Sequence, residues 1–291
     1  CGAMTDRITD TIRRAQANGR VAFIGLVPIE PDSMAHSLRI ADAMVQSGVD
    51  ILMAHIPNWI PWMEGKALQR AAQEPRNAGI SREQIFDFIK ALRNQHPQVP
   101  IINMTLYDTA LTMGQDTFFR LSEEADVDGF DIPNYPLVST EDKFGFYEQC
   151  LKQGRHLILA ISYEIATAKE GTQEYQMLLE MAKRARGFAF IMNAPGGKSG
   201  SDVKLSNEEL RSAVQRVKSV MKAQGNDCYT SIVCGISGKE DLIKVKHSGA
   251  ESFMIGSAYI QMLQDGKSLE EGSSYLQGIR NMCNLDCEVS G

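Results

Sequence analysis

Eight short aliphatic or β-branched runs alternate with stretches of helical periodicity along the chain, and this repeated beat restricts the fold more than any other feature. The runs lie at 21–26, 50–54, 100–104, 129–132, 157–161, 187–192, 230–234 and 252–255. Strands covered on both faces read as unbroken apolar segments, as Ile-Leu-Met at 51–53 and Leu-Ile-Leu-Ala-Ile at 157–161 do. Between them the segments 34–46, 81–93, 116–124, 175–184, 207–223 and 240–246 each carry polar residues on one helical face. The pattern predicts an α/β fold, a (β/α)8 TIM barrel. The segment 5–17 is an extra N-terminal helix closing its bottom. A doubly wound open sheet fits less well, because the glycine-rich turns come after runs six, seven and eight rather than after the first. With no linker or low-complexity stretch, residues 1–291 are expected to form a single domain, Cys1-Gly2-Ala3 ahead of Met4 reading as a cloning remnant.

Composition narrows the functions. A formal charge of −6 and a pI near 5.5 argue against general attraction to nucleic acid or to an anionic membrane. No run reaches the ~20 apolar residues of a spanning helix and no secretory signal is visible, so a cytoplasmic protein is expected. Cys150 and Cys234 sit in apolar contexts that suit reduced core thiols. Cys283 and Cys287 lack a second pair or a histidine cluster, so no metal site is expected.

Three segments carry a resemblance. Gly48-Val49-Asp50-Ile51-Leu52 is followed by Ile56-Pro57, Glu64-Gly65 and Gln69; Met104-Thr105-Leu106-Tyr107-Asp108 is followed by Gly114 and Phe118; Val127-Asp128-Gly129 precedes Cys234-Gly235-Ile236-Ser237 and Ile255-Gly256-Ser257-Ala258. Their order and spacing from about Val21 to Ile260 resemble the tryptophan synthase alpha subunit family. That family cleaves indole-3-glycerol phosphate by a retro-aldol reaction, usually beside a PLP-containing beta subunit. The resemblance implies a small phosphorylated substrate, no cofactor of the chain's own, and a beta-subunit-like partner or a homo-oligomer.

The phosphate half of such a site matches. Gly235, Gly256 and Ser257 stand where the family's loops after strands seven and eight bind phosphate, and glycines let backbone N–H groups approach an anion closely. After strand six, the loop from Pro195 to Gly200, containing Lys198, resembles a family phosphate loop with an insertion. Taken singly, such glycines are equally well read as tight βα turns.

The catalytic half departs from the family. Met53 and Phe190 stand where the resemblance places a catalytic Glu and a Tyr, and Glu64 stands where it places an Asp. Neither Met nor Phe can pass a proton. Met53, Met104, Phe190 and Tyr107 are expected to line the substrate pocket. Asp131 replaces an apolar residue of strand four, and an inward carboxylate there suits a general acid or base, the alternative being a structural acceptor for a loop. His55 is a further candidate, with a satisfied structural imidazole as the plainer reading. Trp59 and Trp62 either cover a ligand, anchor a partner or pack under their own loop. Asn103, Asn134, Ser162, Tyr163, Glu164 and Asn193 also fall near strand C-termini, most of them as ordinary loop groups.

Two functions follow. One is a lyase or aldolase-type enzyme with altered chemistry, in which Asp131, Glu64 and His55 manage protons on an indole-3-glycerol phosphate-like or glyceraldehyde-3-phosphate-derived compound. The other is a non-catalytic alpha-like subunit that binds a phosphorylated ligand and regulates a partner enzyme.

Overall fold

The structure, a computed structural model, describes residues 6–30, 33–57, 66–77, 79–135, 137, 141–197 and 202–285. Strands β1 (Ala22–Val27), β2 (Ile51–His55), β3 (Ile101–Met104), β4 (Gly129–Asp131), β5 (His156–Ile161), β6 (Phe188–Met192), β7 (Tyr229–Val233) and β8 (Ser252–Ile255) pair in chain order, all parallel, and β1 closes on β8. The expected TIM barrel is therefore the observed fold. Each strand lies within a residue or so of its apolar run. Strand β7 stops before Cys234 because that residue turns to a φ of 76°, outside the extended region.

Alternation along each strand divides the apolar side chains into two layers. Ile24, Leu26, Ile51, Met53, Ile102, Met104, Ile158, Phe188, Phe190 and Met254 fill the barrel interior. Their neighbours Phe23, Leu52, Ile101, Phe130, Leu157, Ile191 and Phe253 face the surrounding helices. Those helices are α1 (Arg7–Ala17), α2 (Met34–Gln46), α3 (Lys66–Asn77), α4 (Arg82–Gln95), α5 (Tyr107–Met113), α6 (Gln115–Glu124), α7 (Phe146–Gln153), α8 (Tyr163–Ala166), α9 (Gln173–Arg184), α10 (Asn207–Ala223), α11 (Lys239–Ser248), α12 (Ser257–Gln264) and α13 (Leu269–Asn281). Local sequence sets their starts. Ser33, Ser81, Thr172, Ser206 and Ser268 each accept a hydrogen bond from the backbone N–H three residues on, an interaction worth about 1 kcal/mol per cap.

Helix α1 is the expected bottom closure, its Ile8 and Ile12 joining the interior cluster from below. The Val-Asp pairs that helped to mark the resemblance work at this end. Asp50, just before β2, takes both guanidinium nitrogens of Arg20 at 2.7 Å and accepts from Phe23 N at 2.8 Å. Asp128, just before β4, accepts from Arg93 Nη2 at 2.5 Å, Arg7 Nη1 at 3.0 Å and Ile101 N at 2.8 Å. Each carboxylate satisfies a strand-start amide and neutralises an arginine, which pins the strand N-termini and leaves the opposite rim to carry chemistry.

Candidate functional site

At the C-terminal rim, Cys234 and Gly235 follow β7 with φ of 76° and 67°, so the chain doubles back where a longer side chain at 235 would collide with its surroundings. Across from this turn, Gly256 leaves β8 with φ −120° and ψ −91° and leads into α12, whose first residue is Ser257. Gly235, Ile236, Ser237, Gly256, Ser257 and Lys204 line one cavity of about 360 Å³. Among the described residues, the backbone N–H groups of Gly235 and Gly256 donate to no other protein group. Two open amides beside a helix N-terminus are what an anion needs. The structure thus brings together three of the four phosphate-site residues expected from sequence. Gly200, like Lys198, lies outside the described residues.

Sequence reasoning looked to Lys198 for a cation and missed Lys204. The stem of Lys204 lies against Gly235, where an added Cβ would stand 2.8 Å from Lys204 Cε. Its ammonium pairs with Asp241 at 3.1 Å, and Asp241 also accepts from Ser237 N at 2.9 Å and Gly238 N at 3.2 Å. Burial alone would raise the Asp241 carboxyl, but these amides and Lys204 outweigh it and hold the group below its ordinary value. No local signal marks Lys204. It falls two residues before the cap Ser206, and only the tertiary fold carries it to the rim.

The same cavity reaches Val233, Cys234 and Met254, and Met254 belongs to the interior cluster with Met53, Met104 and Phe190. Those three expected pocket residues do not line the cavity itself, but all three lie in the barrel interior. Tyr107 does not. Its ring packs outside the barrel against Tyr135, at 4.8 Å between centroids, and Phe146, at 5.6 Å, while its hydroxyl donates to Gln115 Oε1 at 2.7 Å. Lying beyond the end of β3 as the first residue of α5, it is turned into the helical layer by the change of backbone course.

Asp131 ends β4 in register with Met104 of β3 and Ile158 of β5. Both neighbours point into the barrel, and hydrogen-bonded strand neighbours share a face, so the Asp131 carboxylate points inward, only 7% exposed. His55 ends β2 opposite Met104, on the same rung, and is fully buried. One strand separates His55 from Asp131, a gap of roughly 10 Å at the usual strand spacing. Glu64, Trp59 and Trp62 lie outside the described residues.

The remaining polar candidates are mostly loop fasteners. Asn134 accepts from Tyr107 N at 2.7 Å, Ser162 caps α8, and Glu164 accepts from Gly196 N at 2.8 Å. Asn103 shares the face of Ala54 and Phe130, away from the barrel interior. Asn193 donates to Cys234 O at 3.3 Å and so steadies the turn into Gly235.

The sequence matches the family described as tryptophan synthase alpha chain over residues 12–285. This chain belongs to that family. The tryptophan synthase alpha chain of Methanosarcina barkeri is 29% identical over 266 residues, 91% of this chain and 92% of that one. That of Alkaliphilus metalliredigens is 26% identical over 290 residues, 97% of this chain and 100% of that one. The fold agrees with the solved tryptophan synthase subunit alpha from Legionella pneumophila, at a TM-score of 0.77 and 21% identity over 96% of this chain and 98% of that one. A chain from Aquifex aeolicus VF5 superposes with a TM-score of 0.80 at 20% identity, over 96% of this chain and 99% of that one. Alpha-chain membership implies a lyase-type enzyme class. No described helix is long and apolar enough to cross a membrane.

Proposed function

We propose that this alpha-family barrel is a carbon–carbon lyase of aldolase type acting on a small phosphorylated metabolite, with its proton chemistry divided between His55 of strand two and Asp131 of strand four. One observation carries the reading. Asp131 is an inward, nearly buried carboxylate on the same rung as His55, at the rim that also holds the open amides of Gly235 and Gly256. The family resemblance places a Glu where this chain has Met53, a fully buried thioether unable to move a proton.

The substrate class follows from the rim. A phosphate at Gly235, Gly256 and Ser257 supplies binding energy remote from the reacting carbons, and the apolar interior that meets the cavity at Met254 receives an apolar body such as an indole-like ring. Such a compound is indole-3-glycerol phosphate or a relative derived from glyceraldehyde 3-phosphate. In the cleavage, His55 takes the proton of the hydroxyl on the carbon that becomes a carbonyl. The C–C bond breaks with its electron pair passing to the departing carbon, and Asp131, protonated, supplies the proton that carbon needs. Nothing is oxidised or reduced, and the two protons exchanged leave the balance unchanged. A beta-subunit-like protein is the natural receiver of the released apolar product.

The second reading, a non-catalytic subunit that regulates a partner, is favoured by Met53 and Phe190 standing at the positions of the family's catalytic pair. One experiment separates the two. Purified protein is assayed with indole-3-glycerol phosphate, and in the aldol direction with glyceraldehyde 3-phosphate and indole-like nucleophiles, comparing wild type with Asp131→Asn. The enzyme reading expects turnover that falls by roughly 10²–10⁴ in the variant. Inert wild-type protein that instead raises the activity of a co-purified partner would establish the regulatory reading.

A further inference from the structure

Lys204 is the described cation that lines the anion cavity, and neither its position nor its type follows from the site's glycines. Its ammonium stands between two claims. On one side is Asp241 at 3.1 Å; on the other is the space bounded by Gly235, Gly256 and Ser257, against which its stem lies. Asp241 has other donors for its charge, receiving Ser237 N, Ser237 Oγ at 3.3 Å and Gly238 N. Behind it stands the buried Lys244, whose ammonium donates to Leu205 O. The carboxylate therefore stays solvated by protein when Lys204 turns away. The open amides have no such alternative. An anion resting on them brings up to two negative charges to the flank of Lys204, and a charge-assisted bond to a dianion exceeds one to a carboxylate already shared among several donors. Asp202 also lines the cavity, and because it is exposed, as Lys204 is, water screens its repulsion of the anion.

We propose that Lys204 is the charge-selecting residue of this site. Resting on Asp241 in the empty barrel, it swings onto a phosphate monoester dianion bound at Gly235 and Gly256, and it thereby discriminates dianionic phosphate esters from singly charged ligands of the same shape. This deepens the phosphate reading given above and rests on it. The switch costs little because the stem of Lys204 is already laid along Gly235 and only its terminal bonds rotate. Asp241 keeps its two amide bonds throughout, so the N-terminus of α11 remains capped.

Calorimetric titration with glycerol 3-phosphate, and separately with singly charged glycerate, tests the assignment on wild type, Lys204→Met and Lys204→Arg. A thermal melt checks that each variant is folded. Lys204→Met is expected to weaken glycerol 3-phosphate about tenfold, as befits loss of one charge-assisted bond, while Lys204→Arg keeps most of the affinity. Wild-type affinity should rise from pH 5 to pH 7.5 as the ester takes its second charge near pH ~6, and the methionine variant should lose most of that rise. Wild-type binding with an unchanged Lys204→Met affinity and pH profile overturns the role of Lys204 and leaves the phosphate site standing. Absence of wild-type binding to glycerol 3-phosphate overturns both.

Discussion

Asp131 ends β4, Cys234 follows β7, and the charge of Asp131 is felt at the Cys234 thiol. Burial, and then the Asp131 charge, push the Cys234 thiol up to about 12. Register with the interior Met104 places the carboxylate over the barrel interior rather than out in the helical layer. The charge felt at Cys234 makes the thiol a reporter of the carboxylate. At pH 8 Cys234 should react slowly with iodoacetamide, and Asp131→Asn should accelerate it, because removing the negative charge lowers the thiol toward its ordinary range. Peptide mapping by mass spectrometry reads the rate at this cysteine alone. No acceleration would mean that the two side chains do not share the mouth.

Gly235→Ala bears on the anion site directly. An alanine there must hold a φ of 67°, at a cost of about 1–2 kcal/mol, and its Cβ pushes against the Lys204 stem. The variant should fold, melt slightly earlier, and bind glycerol 3-phosphate at least about tenfold more weakly, by titration calorimetry. Combined with Lys204→Met, the losses should be less than additive because both disturb one contact.

Stability should be most sensitive at the other end of the barrel. Arg20 and Asp50 are 11% and 13% exposed, and Asp50 also accepts from the Phe23 amide of β1. Asp50→Ala leaves a nearly buried guanidinium without its carboxylate and is expected to cost about 3 kcal/mol in urea denaturation. Ligand affinity at the rim should be preserved below the melting temperature, because the change lies at the opposite strand ends.

The junction of α1 with β5 predicts an acid-dependent loss. Burial would raise the Asp6 carboxyl, but the hydrogen bond and charge of His156, 3.0 Å away, together with Thr9, hold it at about 2 rather than 3.8. A carboxyl depressed in the folded state contributes fully above its unfolded value and loses that contribution as pH falls through its folded one. The stability difference between wild type and Asp6→Asn should therefore be constant from about pH 6 down to pH 4 and shrink steadily toward pH 2. Denaturant melts across that range measure it. A difference that persists at the acid end would contradict the pairing.

The fold was legible in the chain because its determinants are local and repeated. Apolar runs at 51–53 and 157–161 announce strands buried on both faces, and capping residues such as Ser81 and Ser206 mark helix starts within a residue. That Gly235, Gly256 and Ser257 share one rim was legible because each follows a strand by a short offset. Tyr107 was misplaced because it lies just past the end of β3, where strand parity no longer says which way a side chain turns.

What the amino-acid order determined by itself is the barrel, the ends of its elements and the departure from the family at Met53, Phe190 and Asp131. Each of these depends on residue type and on spacing over a few positions. Only the tertiary structure decided that Asp131 faces inward on the rung of His55, that Asp50 and Asp128 secure the far end, and that Lys204 lies on Gly235 while bound to Asp241. Those contacts join residues roughly 30 to 120 positions apart, and their geometry is set by strand register and barrel closure, which no local pattern encodes.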